Sequence, residues 1–137
     1  MKKLFIKNEK GQTMVEFALV LPLILFVICG LIDFGWLFYN QLSLNNACRE
    51  AARYAVVNVT EADLVDKVDE KAEEETRGLF KNGINTQIRF TNTSQPLEGD
   101  MVITLTADMK VLTPVLAFFS RGTTRRLVAT VTMKAES

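Results

Sequence analysis

Residues 7–36 read KNEKGQTMVEFALVLPLILFVICGLIDFGW, and the fold turns on this stretch. No residue from Phe17 to Ile32 is charged. Glu16 and Asp33 bracket the run and lie about 26 Å apart along an ideal helix. That approaches the roughly 30 Å of a bilayer's hydrocarbon core, so residues 12–39 read as a transmembrane helix. Phe34, Trp36, Phe38 and Tyr39 form an aromatic belt, which makes Asp33, Trp36 and Tyr39 candidate membrane-interface residues. Lys2, Lys3, Lys7 and Lys10 precede the run against a single Glu9, and the next cations are Arg49 and Arg53. This asymmetry places the N-terminus in the cytoplasm and the bulk of the chain outside. A cleaved secretory signal is the simpler alternative. Against it, the basic leader is long, the apolar run exceeds an ordinary signal core, and bulky aromatics stand where a small-residue cleavage site belongs.

Glu16 is the anomaly, because a carboxylate at the mouth of an apolar run is costly to desolvate. A short basic leader ends at Gly11, Glu16 is the fifth residue after it, and Phe17 is the sixth. The pattern resembles a prepilin leader, which implies cleavage of the Gly11–Gln12 bond on the cytoplasmic side. Glycine suits such a site, since no side chain blocks a peptidase from the backbone. Cleavage leaves a charged amine on Gln12, and pairing with that amine, on its own or a neighbouring chain, offsets the desolvation of Glu16. Glu16, with Phe17 beside it, then sets register in assembly. The simpler reading is that Glu16 reaches to the membrane surface.

The resemblance extends further. The stretch GQTMVEFALVLPLILFVICGLIDFGWLFYNQLSLNNACREAARYAV, with its G-x-x-x-x-E-F, LVLPLIL, Asp33 and REAARYAV, is similar to the N-terminal segment of the TadE-like family. These are minor pilins or pseudopilins of the tight-adherence (Tad) type IV pilus system. The likeness covers residues 8–57 and is only general beyond them. It implies processing by a prepilin peptidase, partnership with other pilins and the Tad assembly machinery, and a role in pilus biogenesis, adhesion and biofilm formation. It also implies an inner-membrane location.

The chain has 137 residues, no net charge and no histidine. Charge balance argues against nucleic acid as a partner, because no basic excess remains to neutralise phosphates. The missing histidine removes the commonest general base and metal ligand. No paired Cys-x-x-Cys, phosphate loop or nucleophile elbow occurs, so the sequence predicts no metal, no cofactor and no catalytic residue. Cys29 and Cys48 would sit roughly 28 Å apart on one helix, too far for a disulfide, and read as small apolar fillers. Glu73–Glu75 and the arginines of RGTTRR at 121–126 read as solvated surface.

The helix continues past the span over residues 40–57. Ala47, Cys48, Ala51, Ala52 and Ala55 form a small-residue stripe, with Ala47, Ala51 and Ala55 as its packing positions. Such a stripe admits close approach, either to this chain's own head or to another pilin. Pro22 offers a hinge within the span. Residues 58–137 are predicted to form an α+β head. A helix is expected from an N-cap at Thr60, with Asp63 reaching back, to a stop at Gly83. Its apolar stripe comprises Leu64, Val65, Val68, Ala72, Leu79 and Phe80. Three alternating stretches follow: TQIRFTN, with Ile88 and Phe90 on one face; GDMVITLTADMKV, with Met101, Ile103, Leu105, Ala107 and Met109; and RRLVATVTMK, with Leu127, Ala129, Val131 and Met133. They predict an antiparallel sheet covered on one side. TSQPLEG reads as a turn. LTPVLAFFSRG reads as an apolar connector, either a short helix packed under the sheet, the preferred reading, or a patch touching membrane or partner.

The expected whole is pilin-like, with a leader at 1–11, a transmembrane helix at 12–39, an extension at 40–57 and a head at 58–137. Two alternatives remain: a single-span anchor for an external ligand-binding or sensory module, and a pilus-machine accessory that never enters the fibre.

Overall fold

The computed structural model describes residues 9–92, 99–114, 117–118 and 122–134. The leader residues 1–8, most of the TSQPLEG turn, and Arg121 of the arginine cluster lie outside them. The chain runs as a long helix α1 (Glu9–Val57), a second helix α2 (Leu64–Thr76), and strands β1 (Ile84–Phe90), β2 (Asp100–Lys110) and β3 (Thr124–Lys134). The class is α+β, as the sequence pattern predicts.

Helix α1 continues unbroken through Pro22. Its two halves have opposite environments. From Gly11 to Ile28 every side chain is exposed, and the most apolar window has no part buried within the chain. From Asp33 onward one face is covered: Asp33, Asn40, Leu44, Ala47, Cys48, Ala51 and Ala55 are buried. Steps of mostly three and four residues keep these positions on a single helical face. The alanines have a physical function here. A face with so little side-chain volume lets the sheet backbone come close, and Cys48 Sγ lies 3.6 Å from the Ile103 carbonyl oxygen and 3.5 Å from that of Ala129.

Helix α2 descends back along α1 and buries Leu64, Val68, Ala72 and Thr76, one residue per turn. Its limits differ from the sequence expectation. Asp63 is the N-cap and its side chain makes no capping bond, while Thr60 lies in the preceding turn. The helix ends at Arg77, in the left-handed region at φ 51°, whose N–H bonds to the Glu74 carbonyl at 3.0 Å. Gly78 follows at φ 68°. Two successive left-handed residues stop the helix here because only glycine takes the second without strain. Gly83, the expected stop, instead shapes the turn into β1 at φ 79°. Val65 of the expected stripe faces outward.

The sheet is antiparallel in the order β1-β2-β3. Ile84 pairs with Ala107 and Phe90 with Met101; Lys110 pairs with Thr124 and Asp100 with Lys134. Met101, Ile103, Leu105, Ala107 and Met109 of the central strand are all buried under the helices. Leu127 and Ala129 are buried beside them, and Ile88, Phe90, Val131 and Met133 complete the margin. Helix α1 covers β2 and β3, and α2 covers β1. Strand β1 starts two residues earlier than expected, which adds Ile84 to Thr86 on the covered face. There Thr86 Oγ1 donates to Asp69 of α2. The opposite face is threonine-rich, with Thr104 and Thr130 in register and their hydroxyls 3.3 Å apart.

Candidate functional site

The residues singled out from sequence fall into three groups along α1. At its foot, Gly11, Gln12, Glu16 and Phe17 are all exposed. A Cβ placed on Gly11 would meet nothing within 4 Å.

The second group sits where the exposed half ends. Asp33, expected at the membrane interface, is 1% exposed and forms the head's docking site. Thr113, just beyond β2, donates its backbone N–H to Asp33 Oδ1 at 2.9 Å and its hydroxyl to Oδ2. A buried carboxylate must be matched by donors, and a charged acceptor makes such bonds stronger than neutral ones. One turn on, Trp36 turns its indole N–H toward the carbonyl of Lys110 at 3.2 Å. Asn40 Nδ2 donates to the Trp36 carbonyl at 2.6 Å, and Gln41 Nε2 to that of Val128 at 3.0 Å. Tyr39 faces outward and stacks on Trp36 with ring centroids 6.0 Å apart. Asp33, Trp36 and Leu37, within the stretch assigned to the span from sequence, pack against the head, while Phe34, Phe38 and Tyr39 are exposed. The bare stretch from Gln12 to Ile32 is still about 30 Å long.

The third group is the alanine stripe. Ala47, Ala51 and Ala55 have no exposed surface and pack into this chain's own core. Of the two packing partners considered, the head occupies them. Cys48 lies among them, and burial pushes its thiol pKa up, against the lowering effect of nearby backbone bonds. Cys29 and Cys48 are both free.

In the connector between β2 and β3, residues 114 and 117–118 are helical; Val111, Thr113 and Ala117 are half-buried, while Leu112 and Phe118 are exposed. The glutamate run on α2 is solvated; Lys71 and Glu74 pair at 2.6 Å, and the Glu74 hydrogen bond holds the lysine charged. Among the described residues there is no cluster of metal-ligating side chains. Sequence reading missed Thr113, Asn40 and Gln41. The signal available for them was Asp33 itself, a charge on an apolar helix that needs donors from somewhere.

No curated protein and no solved structure matches the chain. Helix α1 is long and apolar enough to cross a membrane once. Residues 11–53 match the sequence model of the TadE-like protein family, from Gly11 through the bare helix and the Asp33 dock, and so form a TadE-like segment.

Proposed function

We propose that this protein is a single-pass membrane subunit of a Tad-type pilus, a minor pilin or pseudopilin rather than an enzyme. The supporting observation is the division of α1. One half is apolar, bare and bilayer-length; the other is sealed into a small head, with Gly11 and Glu16 at the free end. In this reading a prepilin peptidase cuts the Gly11–Gln12 bond on the cytoplasmic side. The new amine of Gln12 pairs with Glu16, on its own or an adjacent subunit, in a medium where an unpaired carboxylate is costly. The bare helix supplies contacts to lipid and then to neighbouring pilins, and the head stays extracytoplasmic. Adhesion and biofilm formation follow from incorporation into, or support of, the fibre.

Intact-mass analysis of the protein recovered from membranes tests the reading. A mature chain beginning at Gln12 is expected, and Glu16→Gln should leave membrane insertion intact while reducing filament output. Retention of residues 1–11 in cells with an active prepilin peptidase refutes it. Immunogold labelling of purified filaments then separates a fibre subunit from a machine accessory.

A further inference from the structure

The two sides of α1 cease to be bare and apolar at different heights. On the side turned to the head, Cys29 and Gly30 are half-buried, Asp33 is buried, and cover continues through Asn40 and Leu44. Steps of three and four residues from Leu31 lead instead through Phe34, Phe38 and Leu42, a separate flank of the same helix. All four of these side chains are exposed. Between Glu16 and Arg49 the only charged residue is Asp33, and it faces the head. The open flank is therefore apolar from Phe17 to Leu42, about 38 Å along an ideal helix, against roughly 30 Å of hydrocarbon. An upright helix would leave on the order of 8 Å of that flank, the part carrying Leu42, above the hydrocarbon.

Chemistry selects lipid as the cover for this flank. Its side chains are bulky and partly aromatic, as at a membrane interface, whereas a face made for another helix is built from small residues. The small residues of α1 above the span, Ala47, Ala51 and Ala55, are already packed in the chain's own core. The flank is also continuous with the bare span, with no polar step between them. Polarity returns only above Leu42, with Asn46, Arg49 and Arg53, the last paired with Glu50 at 3.8 Å.

We propose that α1 crosses the bilayer at a slant, leaning toward the Phe34–Phe38–Leu42 flank, so that this flank lies in lipid beyond the level of Asp33. A tilt of roughly 35° brings the whole apolar flank within the hydrocarbon thickness. The same lean raises the other side of the helix, which carries the Asp33 carboxylate and its Thr113 donors, toward water. That is the favourable direction for a charge, whose desolvation in hydrocarbon is costly. The proposal rests on the membrane-anchored reading above and adds to it which side of the helix faces down.

Depth measurement with nitroxide labels tests it on the full chain. Leu25→Cys, Tyr39→Cys, Leu42→Cys and Val65→Cys are made singly in a Cys29→Ala chain; Cys48 is buried and stays unlabelled. All four replaced side chains are exposed, and unchanged Trp36 emission checks that the dock is intact. The labelled chains are reconstituted in phosphatidylcholine vesicles, and depth is read from relaxation by oxygen against relaxation by a water-soluble nickel chelate. The expected result is a deep label at 25, an aqueous label at 65, and a label at 42 as deep as that at 39. Tyr39 lies about 100° round the helix from Phe38, so a lean toward the flank lowers Leu42 relative to it. In an upright helix position 42 stands about 4.5 Å higher than position 39, and that result overturns the tilt. A label at 42 in water, with 25 deep, overturns the lipid contact and leaves the anchor standing; a label at 25 in water overturns both. A label at 42 shielded from both reagents, with spin–spin broadening lost on dilution by unlabelled chain, assigns the flank to a second copy and overturns the proposal.

Discussion

Replacing Asp33 by alanine removes the acceptor for two donors of Thr113 at once. Hydrogen bonds to a charged group contribute roughly 1.5–3 kcal/mol each, and a buried donor left without a partner adds its own desolvation cost. Thr113 is only half-buried, so water reaches part of the gap. The expected loss is about 2–4 kcal/mol after that discount. Domains of this size have roughly 5–10 kcal/mol in total, so the head would be left marginal. Asp33→Asn keeps an oxygen for the Thr113 N–H and gives the hydroxyl an amide donor, so its cost should fall to about 1 kcal/mol. Trp36 is the chain's single tryptophan and its indole bonds within the same dock, which makes its emission a direct reporter. Urea unfolding in detergent should show the Asp33→Ala midpoint lowered by on the order of 2 M, at the slope typical of a small domain. Asp33→Asn should fall between it and the parent. An alanine variant with the parent's midpoint refutes the dock, because it would mean that water serves Thr113 as well as Asp33 does.

Other substitutions probe the rest of the fold. Ala51→Leu forces a branched side chain between α1 and the sheet and should cost about 1–3 kcal/mol, read as a lowered thermal midpoint. Leu105→Ala empties the centre of β2 and should cost about 2–5 kcal/mol, whereas Val65→Lys on the outer side of α2 should stay within roughly 0.5 kcal/mol. For Cys48, the raised thiol pKa has a definite sign. Above the ordinary thiol range the unfolded chain releases a proton that the folded chain keeps, so stability should fall as pH rises through that window. Cys48→Ala should flatten this alkaline slope in a series of urea titrations.

The strands were legible because period-two alternation on a one-sided sheet leaves little freedom. A one-residue slip would turn Met101, Ile103, Leu105, Ala107 and Met109 together to the solvent face. The alanine stripe was legible as a packing face for the same reason, though spacing alone did not say what packs there. Gly11 and Glu16 stand out in their own local setting, and the fold adds only that both are exposed. The dock was not legible, because Asp33 and Thr113 are 80 residues apart and neither flank announces the other. Asp33 stands among aromatics, and that local context points to an interface but says nothing of the tertiary partner. The end of α2 was misplaced because an arginine took the left-handed cap position normally read from glycine, and the glycine that mattered was Gly78 rather than Gly83.

The two carboxylates that bracket the apolar run solve the same physical problem in different ways. Asp33 is neutralised in effect by this chain's own Thr113, and that solution pins the head to the helix. Glu16 is left exposed on the bare half of the same unbroken helix, with nothing from the head near it. Because α1 is continuous between them, the two charges are held at one axial separation, about 26 Å. A partner that satisfies Glu16 therefore also fixes the height of the docked head. In the proposed assembly, register is set from both ends of one rigid rod, by charge pairing at the foot and by the docked head at the top. A flexible joint anywhere between Phe17 and Ile32 would uncouple the two, and an unbroken helix through Pro22 is what prevents it.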